Sequence, residues 1–171
     1  MLNGDLPITL TSGPGWGDGS HETTKLCLKA IRIFHPGTAI QALDFGSGSG
    51  ILSIALARRG GTVDAVEIEE AAIETSRENA RLNQLEDRIR FSREIESASA
   101  HYDWVVANIL RPVLVEFAGE LTRVLKPGGT LVLSGIVAID VPVLTVRYSP
   151  LLQGRVPDVH RQGEWCCLVW R

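Results

Sequence analysis

The sequence lacks the features that mark secreted, zinc-binding and membrane-spanning proteins. Only three of its 171 residues are cysteines, Cys27, Cys166 and Cys167, and they form no C-x-x-C pair. Structural disulfides and a zinc site are therefore not expected. No uninterrupted apolar run reaches about 18 residues, and residues 1–10 lack the basic segment that begins a signal peptide. These absences predict a cytoplasmic protein with no membrane partner.

The chain also has no excess of positive charge. Lys and Arg number 17 against 20 Asp and Glu, a net charge of −3 at pH 7, so general binding to nucleic acid is not expected. A hydrophobic share of 44% and a charged share of 22% over 171 residues are typical of one domain with a substantial core. We therefore expect residues 1–171 to form a single domain.

Strand and helix patterns alternate along the chain. Strands are predicted near 39–44, 62–67, 89–91, 102–107, 130–134 and 165–170, and Leu6–Leu10 resembles a further short strand. Helices are predicted from Thr23 to the His35-Pro36-Gly37 stop, from 51 to Gly60, over 70–82, from Pro112 to Leu125 and over 139–147. The alternation predicts an α/β fold with a doubly wound, mainly parallel sheet.

A glycine-rich turn follows the first long strand. Gly46, Gly48 and Gly50 alternate between Asp44 and the apolar segment that begins at Ile51. Glycine accepts positive φ and lets a ligand approach the backbone, and the N–H groups at a helix start attract an anionic group. In doubly wound sheets, ligands bind beyond the carboxyl ends of the strands. The turn therefore predicts a site for a small, partly anionic ligand.

The residues around the turn favour S-adenosylmethionine over a dinucleotide. The dinucleotide pattern G-x-G-x-x-G requires a third glycine where this sequence has Ile51. Asp44 would repel a pyrophosphate but attract a sulfonium or ammonium group. Glu67 ends the second strand, where an acid accepts hydrogen bonds from ribose hydroxyls. The alternatives are that Asp44 and Glu67 are ordinary loop acids and the glycines only turn the chain, or that the domain binds NAD.

Three segments resemble the methyltransferases that modify ribosomal protein L11, a branch of the class I S-adenosylmethionine-dependent enzymes. Residues 16–24 resemble the family's F-G-T-G-x-H-x-T-T segment, residues 43–52 its first motif, and residues 105–110 its strand-four motif. The resemblance extends over about residues 13–171. It implies a Rossmann-like class I fold, with a mainly parallel seven-stranded sheet whose last strand is antiparallel.

The resemblance also implies a set of residues that bind the cofactor. The family's contacts fall on Thr24, Gly46, Glu67 and Asn108, and residues 1–22 would hold an N-terminal segment and a lid loop over the cofactor. The remaining expected cofactor contacts are Trp16, Gly17, Gly19, His21, Asp44, Gly48, Gly50 and Ile68. The histidines show no ligand spacing, so no metal is expected. A hydrogen bond that orders the loop is favoured for His21 over a role as base or ligand.

Asn108 and Asp18 are the expected catalytic residues. The sulfonium is already an activated methyl donor, and positioning alone contributes about 7–11 kcal/mol to such reactions. An amine acceptor must arrive neutral, although a free lysine has a pKa of about 10.4. Asn108 would orient the amine and Asp18 would help to remove or balance its proton. The structural alternatives are a turn-forming Asn108 and a helix-capping Thr24.

Two departures from the family pattern bear on the substrate. Asp18 stands where the family has Thr, and the family's N-terminal substrate-recognition domain has no counterpart in these residues. The expected function is N-methylation of lysine or N-terminal amines of a protein, such as a ribosomal protein, with S-adenosylhomocysteine as product. The alternatives are a small-molecule methyltransferase and a non-catalytic cofactor-binding module that needs a partner.

Overall fold

Seven strands form one mixed sheet in the computed structural model, which describes residues 7–11, 17–96 and 100–171. The strands are β1 (Gln41–Phe45), β2 (Thr62–Val66), β3 (Ile89–Ser92), β4 (Tyr102–Asn108), β5 (Leu125–Val137), β6 (Asp158–Gln162) and β7 (Trp165–Trp170). Their order is β3-β2-β1-β4-β5-β7-β6, with β1 to β5 parallel and β7 antiparallel to both its neighbours. The predicted seven-stranded α/β sheet with an antiparallel last strand is confirmed.

Helices cover both faces of this sheet. They are α1 (Glu22–Phe34), α2 (Ile51–Arg58), α3 (Glu70–Leu82), α4 (Arg111–Glu116), α5 (Ala118–Val124) and α6 (Val141–Tyr148). The central strand β4 shows the two cores directly, because Trp104 and Val106 pack with α1 to α3 while Val105 and Ala107 pack with α4 to α6. A strand buried on both faces needs a continuous apolar run, and β4 has one from Trp104 to Ala107.

Two predicted elements differ from the structure, and one strand was not predicted. The helix predicted from Pro112 to Leu125 is broken at Phe117, whose ψ of 6° separates α4 from α5. Leu125 already pairs with Tyr102, so β5 begins there and extends beyond the predicted 130–134 to Val137. The sequence patterns also miss β6, because this edge strand is polar and mostly exposed and shows no apolar alternation.

The N-terminal segment forms no strand over residues 7–11, which corrects the prediction for Leu6–Leu10; Leu6 itself lies outside the described residues. The backbone groups of Thr9 and Thr11 bond instead to the side chains of Asn83 and Asn79 on α3. None of the helices in the described ranges combines the length and the apolar character that crossing a bilayer requires.

Candidate functional site

The glycine turn connects β1 to α2 at the carboxyl edge of the sheet. Gly46, Gly48 and Gly50 all have positive φ, at 79°, 53° and 78°. The N–H groups of Gly46 and Ser47 donate to the carbonyl oxygen of Val66 at 2.8 and 3.0 Å, so the turn is bound to the end of β2. A Cβ atom at position 46 would collide with the side chain of Ile109. The backbone therefore requires glycine at this position for both its φ and its surroundings.

Replacing Gly46 with alanine tests that requirement. The left-handed conformation costs an alanine about 1–2 kcal/mol, and the collision with Ile109 adds to this cost. Gly37 is the matched control, because its φ is 73° and a Cβ there would meet nothing within 4 Å. In urea unfolding, we expect Gly46→Ala to lower the free energy of unfolding clearly more than Gly37→Ala. Equal losses would show that the close approach to Ile109 has no energetic consequence.

Glu67 lies directly against the glycine turn. Its Oε2 accepts a hydrogen bond from the Gly48 N–H at 3.0 Å, and its Oε1 accepts from the N–H groups of Ile68 and Glu69 at 2.8 and 3.1 Å. These bonds fix the carboxylate at the end of β2. The neighbouring Ile68 side chain is 75% exposed and so leaves an apolar surface beside the acid. A half-buried acid next to an open apolar side chain suits a ligand that carries both hydroxyls and an apolar part.

Asp44 is buried beneath the turn. Its Oδ2 accepts a hydrogen bond from the Ser53 hydroxyl at 2.6 Å, whereas its Oδ1 has no partner among the described residues. Burial raises the pKa of Asp44 from 3.8 to about 6, the Ser53 bond opposes this shift, and the charge of Glu67 adds to it. A carboxylate that is buried and only half satisfied favours a nearby positive charge.

Asn108 ends β4 beside the start of α1. Its Nδ2 donates to the Thr24 hydroxyl at 3.4 Å, although the two residues are 84 positions apart in the chain. Its Oδ1 is buried and unpaired within the described part of the chain. Such an oxygen is free to accept a hydrogen bond from a bound molecule.

His21 caps α1 and thereby orders the segment before it. Its Nδ1 accepts from the Thr23 N–H at 3.3 Å and lies 2.8 Å from the Thr23 hydroxyl. Its ring also meets the Trp165 ring edge-on, with 4.8 Å between the centroids. The capping residue is therefore His21 and not Thr24, which lies within the first turn of α1.

The described residues of the segment expected to cover the cofactor contact the glycine turn and the start of α2. The Ser49 hydroxyl donates to the carbonyl oxygen of Gly17 at 2.5 Å, and Gly19 packs against Ile51. Asp18 is exposed, and its Oδ1 accepts from the N–H and hydroxyl groups of Ser20 at 2.8 and 2.5 Å. These bonds from Ser20 lower the pKa of Asp18. Trp16, expected in this site, lies outside the described residues.

Polar side chains of α3 also support the glycine turn, and the sequence patterns did not predict them. The Ser76 hydroxyl donates to the Gly48 carbonyl at 3.1 Å, and Asn79 Nδ2 donates to the Ser49 carbonyl at 2.9 Å. Both side chains are fully buried. Two polar residues three positions apart on the inner face of a predicted helix were the available signal, because buried polar groups require partners. In the described ranges no group of three or more His, Cys, Asp or Glu side chains is placed to hold a metal.

Comparison with known proteins gives consistent matches along the chain. The family model for Ribosomal protein L11 methyltransferase (PrmA) matches residues 2–171. The ribosomal protein L11 methyltransferases of Pelobacter propionicus and Geobacter sp. (strain M21) are 38% and 39% identical over 173 and 175 residues, each match covering 98% of this chain. The chain spans about 56% of the length of these two relatives.

Solved structures show the same fold. The ribosomal protein L11 methylase of Lactobacillus delbrueckii subsp. bulgaricus superposes with a TM-score of 0.84 at 28% identity, over 96% of this chain and 84% of that one. The T. thermophilus 16S rRNA N2 G1207 methyltransferase, solved with AdoMet and guanosine, superposes with a TM-score of 0.74 at 23% identity, over 92% of this chain and 45% of that one. The second likeness concerns the fold alone.

Proposed function

The chain belongs to the ribosomal protein L11 methyltransferase family, and on that premise we propose that it binds S-adenosylmethionine at the glycine turn and transfers the methyl group to an amine of a protein. One observation carries the proposal. The turn is bordered by Asp44, Glu67 and Asn108, which lie at or near the carboxyl ends of the neighbouring strands β1, β2 and β4. Their oxygens suit a ligand with a positive charge and hydroxyl groups, and an acceptor that presents N–H groups.

Each bordering residue has a separate part in this proposal. Glu67 accepts hydrogen bonds from the ribose hydroxyls, and the buried charge of Asp44 favours the cationic end of the cofactor. Gly46, whose positive φ and close contact with Ile109 require glycine, presents its backbone to the methionine part. Thr24 holds the Asn108 amide in place, and His21 holds the start of α1 that carries Thr24. The residues present therefore fit S-adenosylmethionine, whose sulfonium supplies an activated methyl group.

Asn108 and Asp18 act on the acceptor. The Asn108 Oδ1 accepts a hydrogen bond from the amine and so directs the nitrogen lone pair away from the amide, towards the methyl group. Asp18 has a lowered pKa, so it is ionised at neutral pH and a weak proton acceptor. We therefore assign it the charge-balancing role, in which its carboxylate offsets positive charge near the acceptor, while the proton leaves to solvent.

The acceptor is proposed to be a lysine or N-terminal amine of a ribosomal protein in the cytoplasm. The relatives named above are ribosomal protein L11 methyltransferases, and an amine matches the acceptor group at Asn108. The proposed substrate is therefore a protein and not a nucleic acid, which agrees with the net charge of −3.

Transfer of a radiolabelled methyl group tests the proposal. The chain is incubated with labelled S-adenosylmethionine and a cell extract, and label is counted in protein, nucleic acid and small molecules, with Asn108→Ala as the control. We expect label in protein, concentrated in the ribosomal fraction and lost with the control variant. Label in small molecules would replace the protein acceptor with a metabolite. Binding without any transfer would identify a non-catalytic module.

A further inference from the structure

A row of polar side chains on α3 connects the N-terminal segment to the glycine turn. The row consists of Ser76 and Asn79 on α3 and of Asn83, the C-cap residue of that helix; they follow at intervals of three and four residues and so lie on one side of it. Ser76 and Asn79 are fully buried. A buried amide is costly unless both its ends are paired, so the partners of Asn79 show what it holds together.

Asn79 bonds to two separate parts of the chain. Its Oδ1 accepts from the N–H and the hydroxyl of Thr11 at 2.7 and 3.1 Å. Its Nδ2 donates to the carbonyl oxygen of Ser49, in the glycine turn, at 2.9 Å. The side chain of Ser49 in turn donates to the carbonyl oxygen of Gly17. Thr11 and Gly17, on either side of residues 12–16, are thus both linked to Ser49.

The bond to Ser49 also fixes the geometry of the turn. The Ser49 carbonyl and the Gly50 N–H belong to one planar peptide group, so orienting one orients the other. The Gly50 N–H donates to the Ser47 carbonyl at 2.8 Å and closes the turn. Without the donor on Asn79, the carbonyl of the buried Ser49 would lose its partner and the peptide group would be free to rotate.

We propose that Asn79 is a positioning residue that holds the glycine turn in its cofactor-binding conformation and couples it to residues 7–11. The inference rests on the proposed function, because the coupled ligand is S-adenosylmethionine. Ordering of the turn by the cofactor stabilises the bonds to Thr11, and the bonds to Thr11 stabilise the turn by the same amount. The N-terminal segment thereby contributes to cofactor affinity.

Asn83 provides a matched control. Its Oδ1 accepts from the Thr9 N–H at 3.1 Å and its Nδ2 donates to the Thr9 carbonyl at 2.7 Å. It therefore anchors the same N-terminal segment, yet it makes no hydrogen bond to the glycine turn. A substitution at Asn83 loosens the segment at Thr9 and leaves the Asn79 bonds to Thr11 and Ser49 in place.

The test compares Asn79→Asp with Asn83→Ala in the full chain. An aspartate retains acceptors for Thr11 but replaces the donor to the Ser49 carbonyl with a repelling oxygen. We expect its Kd for S-adenosylmethionine, measured by calorimetry, to rise about tenfold or more, while kcat at saturating cofactor changes less than about threefold. The Kd of Asn83→Ala should stay within about twofold of the wild-type value. A lower Tm with an unchanged Kd would show a merely structural Asn79 and overturn the proposal.

Hydrogen exchange on the wild-type chain provides a test that needs no variant. The amide of Thr11 donates to Asn79, so coupling predicts that it exchanges severalfold more slowly when S-adenosylmethionine is bound, whereas the amide of Thr9, which donates to Asn83, should change less than about twofold. Unchanged exchange at Thr11 under saturating cofactor would overturn the coupling and leave the proposed function standing. A wild-type chain that does not bind S-adenosylmethionine would overturn the proposed function, and the coupling with it.

Discussion

Replacing Asn108 with alanine is expected to lower kcat by about 100-fold or more, while the Kd for S-adenosylmethionine changes only a few-fold. The reason is the buried, unpaired Oδ1 of this half-buried amide, with which the proposed amine acceptor would form a hydrogen bond. Removing it leaves the amine without the hydrogen bond that aims its lone pair. The measurement is single-turnover methyl transfer to a protein acceptor, with cofactor binding followed separately by calorimetry.

The stability of the same variant separates catalysis from folding. An amide with an unpaired buried oxygen contributes little to the fold, so Asn108→Ala should change the free energy of unfolding by less than about 1 kcal/mol. Thr24→Val is the matched control, since it removes the hydroxyl that orients the amide but keeps the amide itself. We expect it to lower kcat by about tenfold. Full turnover by Asn108→Ala would remove Asn108 from the mechanism and leave it a turn-forming residue.

The edge of the sheet that carries the candidate site was predictable because its signals are local. Alternate glycines after an apolar strand require a special backbone, and the structure gives all three a positive φ. The strand pattern alone was also enough to predict an acid of the site at the end of β2, and Glu67 indeed lies against Gly48. The sequence predicted Asp44 as a residue of the candidate site, but it did not predict that the side chain is fully buried. Its complete burial depends on the packing of α2 and on Ser53, nine residues away.

Contacts between distant parts of the chain were not predictable from spacing. Asn79 contacts Thr11 across 68 positions, and Asn108 contacts Thr24 across 84. The local pattern can indicate that such an asparagine needs a hydrogen-bond partner, but it does not indicate which distant residue provides one. The edge strand β6 was missed for a related reason, since it is defined by its pairing with β7 and its own side chains are mostly exposed. The sequence predicted that Asp18 lies in the loop near the candidate site. Its hydrogen bonds to Ser20 depend on the folded conformation of that loop and were not predicted.

Replacing Asp44 with asparagine is expected to stabilise the unliganded protein and to weaken cofactor binding. The pKa of Asp44 is raised from 3.8 to about 6, so the folded chain binds this proton more tightly than the unfolded chain does. Its contribution to stability is therefore complete below about pH 3.8 and is lost as the pH rises through 6. The asparagine still accepts from Ser53 and never ionises. In urea unfolding, the variant should gain about 3 kcal/mol over wild type at pH 8 and little near pH 4.

Ionisation of Asp44, which lowers the stability of the unliganded protein, should raise its affinity for the cofactor. A cationic ligand favours the ionised carboxylate, so wild-type affinity for S-adenosylmethionine should fall as the pH drops from about 8 to about 5. Asp44→Asn should bind at least about tenfold more weakly at pH 8, and its affinity should change less over this range. The two proteins differ only at position 44, so the difference between the two profiles reports the ionisation of Asp44.

Ser53→Ala supplies the intermediate case. The Ser53 hydroxyl lowers the pKa of Asp44 more than the Ser53 backbone does, so its removal should raise that pKa further and move the midpoint of the binding profile to higher pH. The ionised carboxylate of Asp44 destabilises the unliganded protein, and a cationic ligand removes this cost. A neutral ligand of the same shape does not remove it, so binding is selective for a positively charged ligand. If the affinities of wild type and Asp44→Asn are equal at pH 8 and change with pH in parallel, the buried carboxylate supports the glycine turn and does not attract the positive charge of the cofactor.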